Sequence, residues 1–311
     1  QDTLPPTVKI MPSIVGVWEN YKLYLSRGNE LAQWHRNVPS YFTSDDHELV
    51  NDIWGSAKIG KRHRRTEFRD IGTRAWFDYL GWANPVEHPR RVHAARRKMT
   101  AGSKLLVDPL TDFTKLPIDQ MGTLHVHWGT PEAGVNNLKF DNDDGHKNSY
   151  VYQITKVVDA HTLELHMPAK VTDEITYSIG RNSFGRFRVA NCEFFLLDTR
   201  GSRDMHHVTN HNKEGVSMHG KTQREWILKS IKESDADFFF LTSTVPFMIP
   251  RSGAGGFEAA ENKEEAWTGF LDESEQLINE WDKLEKKIFV MTGDLHNSFS
   301  IKITDNVWKF C

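Results

Sequence analysis

The chain has 311 residues, a formal net charge of −3, 38% hydrophobic and 26% charged residues. That profile fits an ordinary globular protein of about two domains, or one large α/β domain with an insertion. It excludes two things: two cysteines, Cys192 and Cys311, make no disulfide framework, and no apolar run of about 18 residues is present to cross a membrane. Gln1–Pro6 show neither the basic nor the apolar part of a signal peptide, and the absence of a starting Met suggests a processed or shortened chain.

In chain order, residues 11–36 are predicted helical, with Trp18, Tyr21, Leu25, Leu31 and Trp34 apolar and Gly28 dividing the segment. A short apolar strand, Val38-Pro39-Ser40-Tyr41-Phe42-Thr43, runs into Ser44-Asp45-Asp46-His47-Glu48-Leu49-Val50-Asn51-Asp52. An amphipathic segment surrounds Trp76–Leu80. Residues 101–190 change character and read as a β-rich insertion. Tyr150, Tyr152 and Ile154 line one strand face, Leu163, Leu165 and Met167 another, with a hairpin at Asp159-Ala160-His161. From 191 the pattern alternates between strand and helix. Cys192–Leu197 is a buried strand ending at Asp198. Lys221–Ile231 is a helix with Thr222 and Glu225 as a capping box, and Asp237–Thr242 is a strand. Residues 262–286 form an amphipathic helix, and Ile288–Thr292 is the last strand of the series. That order predicts a layered α/β core.

The chemistry gathers at strand ends. Asp45, Asp46, His47 and Asn51 combine hard oxygen donors with an imidazole, which suits a divalent or trivalent metal and a proton donor. A helix N-cap explains the first cluster equally well by itself. Gly293-Asp294-Leu295-His296 ends a second strand with Asp and His on one side, and capping does not explain this repetition. Arg200 and Arg203 follow a third strand end and offer bidentate phosphate contacts, with a surface ion-pair loop as the equal alternative. Two basic segments, 61–69 and 90–98, carry five Lys/Arg each and can focus an anion, although a solvated helix face is the commoner explanation. His125 and His127 lack a nearby carboxylate and read as structural, while His206, His207 and His211 read as exposed.

Together, Asp45-Asp46-His47-Glu48-x-x-Asn51-Asp52, Phe194–Arg200, Gln223-x-x-Trp226, Ser243–Phe247 and Gly293–His296 resemble the PhoD-type alkaline phosphatases and phosphodiesterases. These belong to the calcineurin-like metallophosphoesterase superfamily. The resemblance spans about residues 11–100 and 191–311, in the family's order. It implies an α/β fold, a four-layer α/β/β/α sandwich whose core is split between residues 1–100 and 191–311 by the insertion at 101–190. It implies a multinuclear metal centre, iron with calcium favoured and zinc or manganese as alternatives, on which a metal-bound hydroxide or oxide attacks phosphorus. On this chain Asp45, Asp46, Asn51, Asp294 and His296 become the metal-shell residues, His47 the proton donor, and Arg200 or Arg203 the phosphate ligand. It also implies an exported protein, periplasmic or extracellular, acting on a small phosphoester.

One departure stands against this. The family's upstream Gly-Asp-x-x-Tyr motif is missing, since the only Gly-Asp here is Gly293-Asp294. The expectation is an interior piece of the family domain that lacks part of its metal shell. Two rival readings follow: a non-catalytic scaffold with an incomplete site, and a nucleic-acid-directed phosphodiesterase using the basic segments.

Overall fold

The computed structural model describes residues 14–26, 28–45, 72, 75–87, 92–127, 148, 151–180, 182–204, 215–247, 267–294 and 298–311. Within them the fold is α/β, organised around three sheets.

Gly28 stands between helices α1 (Ile14–Ser26) and α2 (Asn29–Asn37) and is the extended N-cap residue of α2 (φ −115°, ψ 110°). α1 docks on a helical turn at residues 75–79. Trp18 Nε1 donates to Asp78 Oδ2 at 3.1 Å, and Tyr21 stacks on Tyr79. The expected strand at 38–43 does not form; that stretch joins no sheet. Phe42 instead donates its backbone N–H to Asn84 Oδ1 and accepts at its C=O from Asn84 Nδ2, and Tyr41 stacks on Phe187 with ring centres 3.9 Å apart. One carboxamide satisfies the backbone groups that a sheet partner would otherwise take.

The largest sheet has the order β12-β13-β11-β10-β9-β8. Its strands are β8 (Gly185–Val189), β9 (Cys192–Leu196), β10 (Phe238–Ser243), β11 (Lys287–Thr292), β12 (Ser300–Lys302) and β13 (Val307–Phe310). β9, β10, β11 and β13 run parallel, and antiparallel β8 and β12 close the edges. Two helices connect the parallel strands: α3 (Gly220–Glu233) between β9 and β10, and α4 (Leu271–Asp282) between β10 and β11. Strand residues alternate sides. Phe195, Phe239, Leu241, Ile288, Val290 and Val307 therefore pack against Ile227, Ile231, Leu277, Ile278 and Trp281 of the helices. Each such side chain contributes about 1.5–3 kcal/mol on burial. On the opposite face Phe187, Phe194, Phe240, Phe289 and Trp308 stack in a ladder across the strands. Cys192, expected to be buried, opens half-buried onto that face.

Two details of the helices differ from expectation. Thr222 and Glu225 form no capping box. His219 is the N-cap residue without a side-chain bond, and the Thr222 hydroxyl turns to the Asp119 carbonyl. The expected continuous helix over 262–286 is broken at Phe270, where a 3-10 turn, Trp267–Gly269, gives way to α4; residues 262–266 lie outside the described residues.

The other sheets are antiparallel. One has the order β1-β7-β3-β4 and the other β2-β6-β5. Their strands are β1 (His93–Met99), β2 (Leu105–Val107), β3 (Leu124–His127), β4 (Val151–Tyr152), β5 (Ile154–Asp159), β6 (Thr162–Leu165) and β7 (Asp173–Ile179). The hairpin at Ala160-His161 forms between β5 and β6. Tyr152 and Ile154 do not share a strand: Tyr152 pairs with Leu124 in one sheet, and Ile154 with Leu165 in the other.

Candidate functional site

Because β9, β10 and β11 are parallel and adjacent, their C-terminal ends fall on one edge. In open α/β sheets this is the edge where ligands bind. It gathers Asp198 to Asp204, Ser243 to Val245, and Gly293 with Asp294. The hydroxyls of Thr199 and Thr244 are 2.6 Å apart, tying the first two ends together. A Cβ on Gly293 would lie 3.7 Å from the Thr244 carbonyl, so the third end is in contact as well.

The turn after β9 is built on Asp198, which is 4% exposed. Its carboxylate accepts the backbone N–H groups of Arg200 (3.0 Å), Gly201 (2.6 Å) and Ser183 (3.2 Å). This is the Asx-type use of an aspartate, a short side chain bonding the backbone two and three residues on. Gly201 is required here, because a Cβ would come within 2.2 Å of Asp198 Oδ2.

The turn points Arg200 at Asp45. The guanidinium is 3% exposed, and its Nε donates to Asp45 Oδ1 at 3.1 Å while Nη2 makes a second, ionic contact to the same oxygen. The pair spans 155 residues and links Asp45 of the N-terminal acidic cluster to the sheet edge.

Asp294 stands at the third strand end, exposed, in the left-handed region at φ +72°. Aspartate tolerates that conformation better than most residues, and such backbone strain concentrates at functional sites. Asp46, His47, Asn51 and His296 lie outside the described residues. Among the described residues no group of three or more His, Cys, Asp or Glu is arranged to hold a metal.

Arg203 sits behind the turn rather than at the edge. It is fully buried, its Nε donates to the Thr199 carbonyl at 2.8 Å, and its guanidinium lies 5.7 Å from the Phe270 ring centre. Next to it is a buried polar group that sequence reasoning did not single out. Asp204 accepts from Ser217 N (2.9 Å) and Gln153 Nε2 (3.2 Å). Glu273 accepts from Ser217 Oγ (3.1 Å) and Met218 N. Burial pushes Asp204 up to about 6 and Glu273 up to about 7, against the pull of these donors. Among the described residues His219, edge-on to Trp267, has no hydrogen-bond partner at either ring nitrogen, and burial lowers it to about 3, so it is neutral.

Other expected features resolve into structural roles. His125 Nε2 pairs with the Thr123 hydroxyl at 2.9 Å, and His161 Nδ1 with the Thr111 carbonyl at 2.8 Å. In the basic segment 90–98, Arg96 faces Glu174 of its own sheet at 3.7 Å and Arg97 binds buried Asp108 at the end of β2 in the neighbouring sheet, so both cations meet carboxylates. Segment 61–69, Arg90, Arg91, His206, His207 and His211 lie outside the described residues.

Residues 163–310 match the family model for PhoD-like phosphatase. The matched stretch runs from β6 to β13 and carries all three strand ends, while Asp45 lies outside it and joins through Arg200. A solved structure of PhoD shares the fold, with a TM-score of 0.56 at 15% identity; the similarity covers 96% of this chain and 44% of that one. The chain thus spans less than half the length of that PhoD structure. No curated protein matches the sequence.

The sequence passed over Asp198 and Gln223 as site residues. Asp198 was readable from Asp-x-Arg-Gly, an aspartate two and three residues ahead of a turn. Gln223 carried a subtler signal: a polar residue in register with Ile227 and Ile231 on the buried side of α3.

Proposed function

We propose that this chain serves a metal-dependent phosphoester hydrolase, of phosphomonoesters or phosphodiesters, with its site at the C-terminal edge of the six-stranded sheet. The observation that supports it most is the Arg200–Asp45 ion pair, which joins an Asp-Asp-His cluster to the strand ends of a PhoD-like stretch. On this reading residues 101–190 are an insertion into a core formed by 1–100 and 191–311, except that β1 pairs within the inserted sheets and β8 within the six-stranded core sheet.

The donor set fits a hard or borderline metal. Asp294 offers an exposed carboxylate at the edge, and Asp46, Asn51 and His296 would complete the shell in a chemistry suited to iron with calcium, or zinc or manganese. A metal held there would polarise the phosphoryl oxygens and acidify a water. One oxygen of Asp45 is engaged by Arg200, so Asp45 borders the shell, and its charge keeps Arg200 aligned beside the bound phosphate. Within that site His47 protonates the departing oxygen. Arg203, buried against Thr199, supports the turn instead of touching substrate. Export to an oxidising compartment is part of the same reading and rests on the family alone. The nucleic-acid reading is weakened by the pairing of Arg96 and Arg97 with carboxylates.

Elemental analysis of the natively purified protein, beside turnover of p-nitrophenyl phosphate and bis(p-nitrophenyl) phosphate, tests the proposal. We expect bound metal that is lost in Asp294→Ala, and a His47→Ala variant that folds normally but loses about 10²–10⁴ in turnover. Metal-free protein without turnover on either ester would return the scaffold reading.

A further inference from the structure

We propose that Gln223 is a positioning residue for this site: its carboxamide replaces a neighbouring strand at Asp198 and thereby fixes the turn that aims Arg200 at Asp45. The catalytic consequence rests on the hydrolase reading above; the geometry does not.

The last rung between β9 and β10 is Leu197 N to the Thr242 carbonyl, at 3.0 Å. One residue further, Asp198 has left the ladder, yet both its backbone groups are buried and need partners. Gln223 supplies both. Its Oε1 accepts from Asp198 N at 2.8 Å, and its Nε2 donates to the Asp198 carbonyl at 2.8 Å. The amide orientation follows from this pairing: a flipped carboxamide would set donor against donor and acceptor against acceptor.

Gln223 is itself fixed. It is fully buried on the first turn of α3, and the start of that helix rests on the same turn of chain. A Cβ at Gly220, φ +68°, would lie 3.1 Å from Ser202 Cβ. The connection then runs in a few steps. Gln223 holds the Asp198 backbone; the Asp198 carboxylate holds the amides of Arg200 and Gly201; the Arg200 side chain holds Asp45. A small rotation at Asp198 is carried to a guanidinium several bonds away, and a misplacement of about 1 Å at a reacting centre can cost 10²-fold.

The test uses the full chain with Gln223→Met, which keeps the length and removes both bonds, and Gln223→Glu, whose protonated acid can accept and donate as the amide does. Hydrogen exchange at residues 198–201 reports the turn, and kcat and KM on p-nitrophenyl phosphate report the consequence. For Gln223→Met we expect lost protection at 198–201, preserved protection in the middle of α3, a kcat lower by about 10–100-fold and a KM within about twofold. For Gln223→Glu, kcat relative to the unsubstituted protein should be highest at acidic pH and fall as the introduced carboxyl ionises. A Gln223 that only adds stability would lower the urea midpoint and leave kcat unchanged below the transition, which would overturn the proposal. Unaltered exchange at 198–201 would overturn it too. If Gln223→Met does not fold, the pH profile and exchange of Gln223→Glu decide. If the unsubstituted chain hydrolyses no phosphoester, the hydrolase reading fails and catalytic positioning fails with it, while the exchange contrast still decides whether Gln223 fixes the turn.

Discussion

Asp108 in the antiparallel sheets and Asp198 at the edge of the mixed sheet are both buried aspartates organising a turn, but they spend their oxygens differently. Asp108 collects the hydroxyls of Tyr177 (2.6 Å) and Thr111 (2.8 Å), the Leu110 amide and the Arg97 guanidinium. Burial pushes its carboxyl up, yet the four sets of donors outweigh burial and hold it below the usual range. Since both hydroxyls give their protons to Asp108, the His93 Nε2 that lies 3.2 Å from each must be the one carrying hydrogen. Every group in that cluster looks inward. Asp198 uses backbone amides alone, which leaves the neighbouring arginine side chain available for Asp45. A carboxylate that takes a guanidinium for itself makes a clasp, and one that takes only amides can aim a guanidinium elsewhere.

The contrast can be broken at either end. The largest expected effect is at the clasp. Asp108→Ala strips Arg97, Tyr177 and Thr111 of their shared acceptor and should cost about 3–5 kcal/mol in urea unfolding. Hydrolysis by the fraction that stays folded should be nearly unchanged. At the edge, Gly201→Ala drives a Cβ into Asp198 Oδ2 and should cost about 1–3 kcal/mol, with a clear loss of turnover even where the protein is fully folded.

The most gradual effect, spread over about two pH units, is a pH dependence behind the edge. Glu273, pushed up to about 7, keeps its proton in the folded state longer than in the unfolded chain. Its contribution to stability is complete below the ordinary glutamate range and is lost as pH rises through about 7. The slope across that window is about 1.4 kcal/mol per pH unit for one proton. Asp204, pushed up to about 6, adds the same sign at lower pH. Stability should therefore fall from pH 5 to 7 and level off by pH 8, and Glu273→Gln should flatten the fall between 6 and 7.

Much of the mixed sheet was legible because its signals are local. Phe289 to Met291 alternate between the two faces of β11, and α3 shows Ile227 and Ile231 at helical spacing. The division of α1 from α2 at Gly28 and the hairpin at Ala160-His161 follow from single-residue preferences in the same way. The gathering of Asp198, Asp294 and Asp45 was half legible: strand ends carrying Asp are visible, but which ends become neighbours depends on strand order. What was not legible are contacts decided by partners far along the chain. Phe42 satisfies its backbone on Asn84 and so leaves the sheet. Thr222 loses its cap to the Asp119 carbonyl, and Arg97 looks like part of a solvated basic run until Asp108 is placed beside it. In each case propensity favoured one outcome and a distant polar partner supplied a better one.

The central claim is that Arg200 and Asp45 act as one unit in a hydrolytic site, and a double-mutant cycle on kcat/KM tests it most directly. Asp45→Ala, Arg200→Ala and the double variant would be assayed on p-nitrophenyl phosphate, with folding checked in each. The account predicts large single losses and a double variant no slower than the worse single one, a coupling well above the about 0.5 kcal/mol seen between independent sites. Losses that simply add, or single variants that hydrolyse as well as the unsubstituted protein, would contradict it.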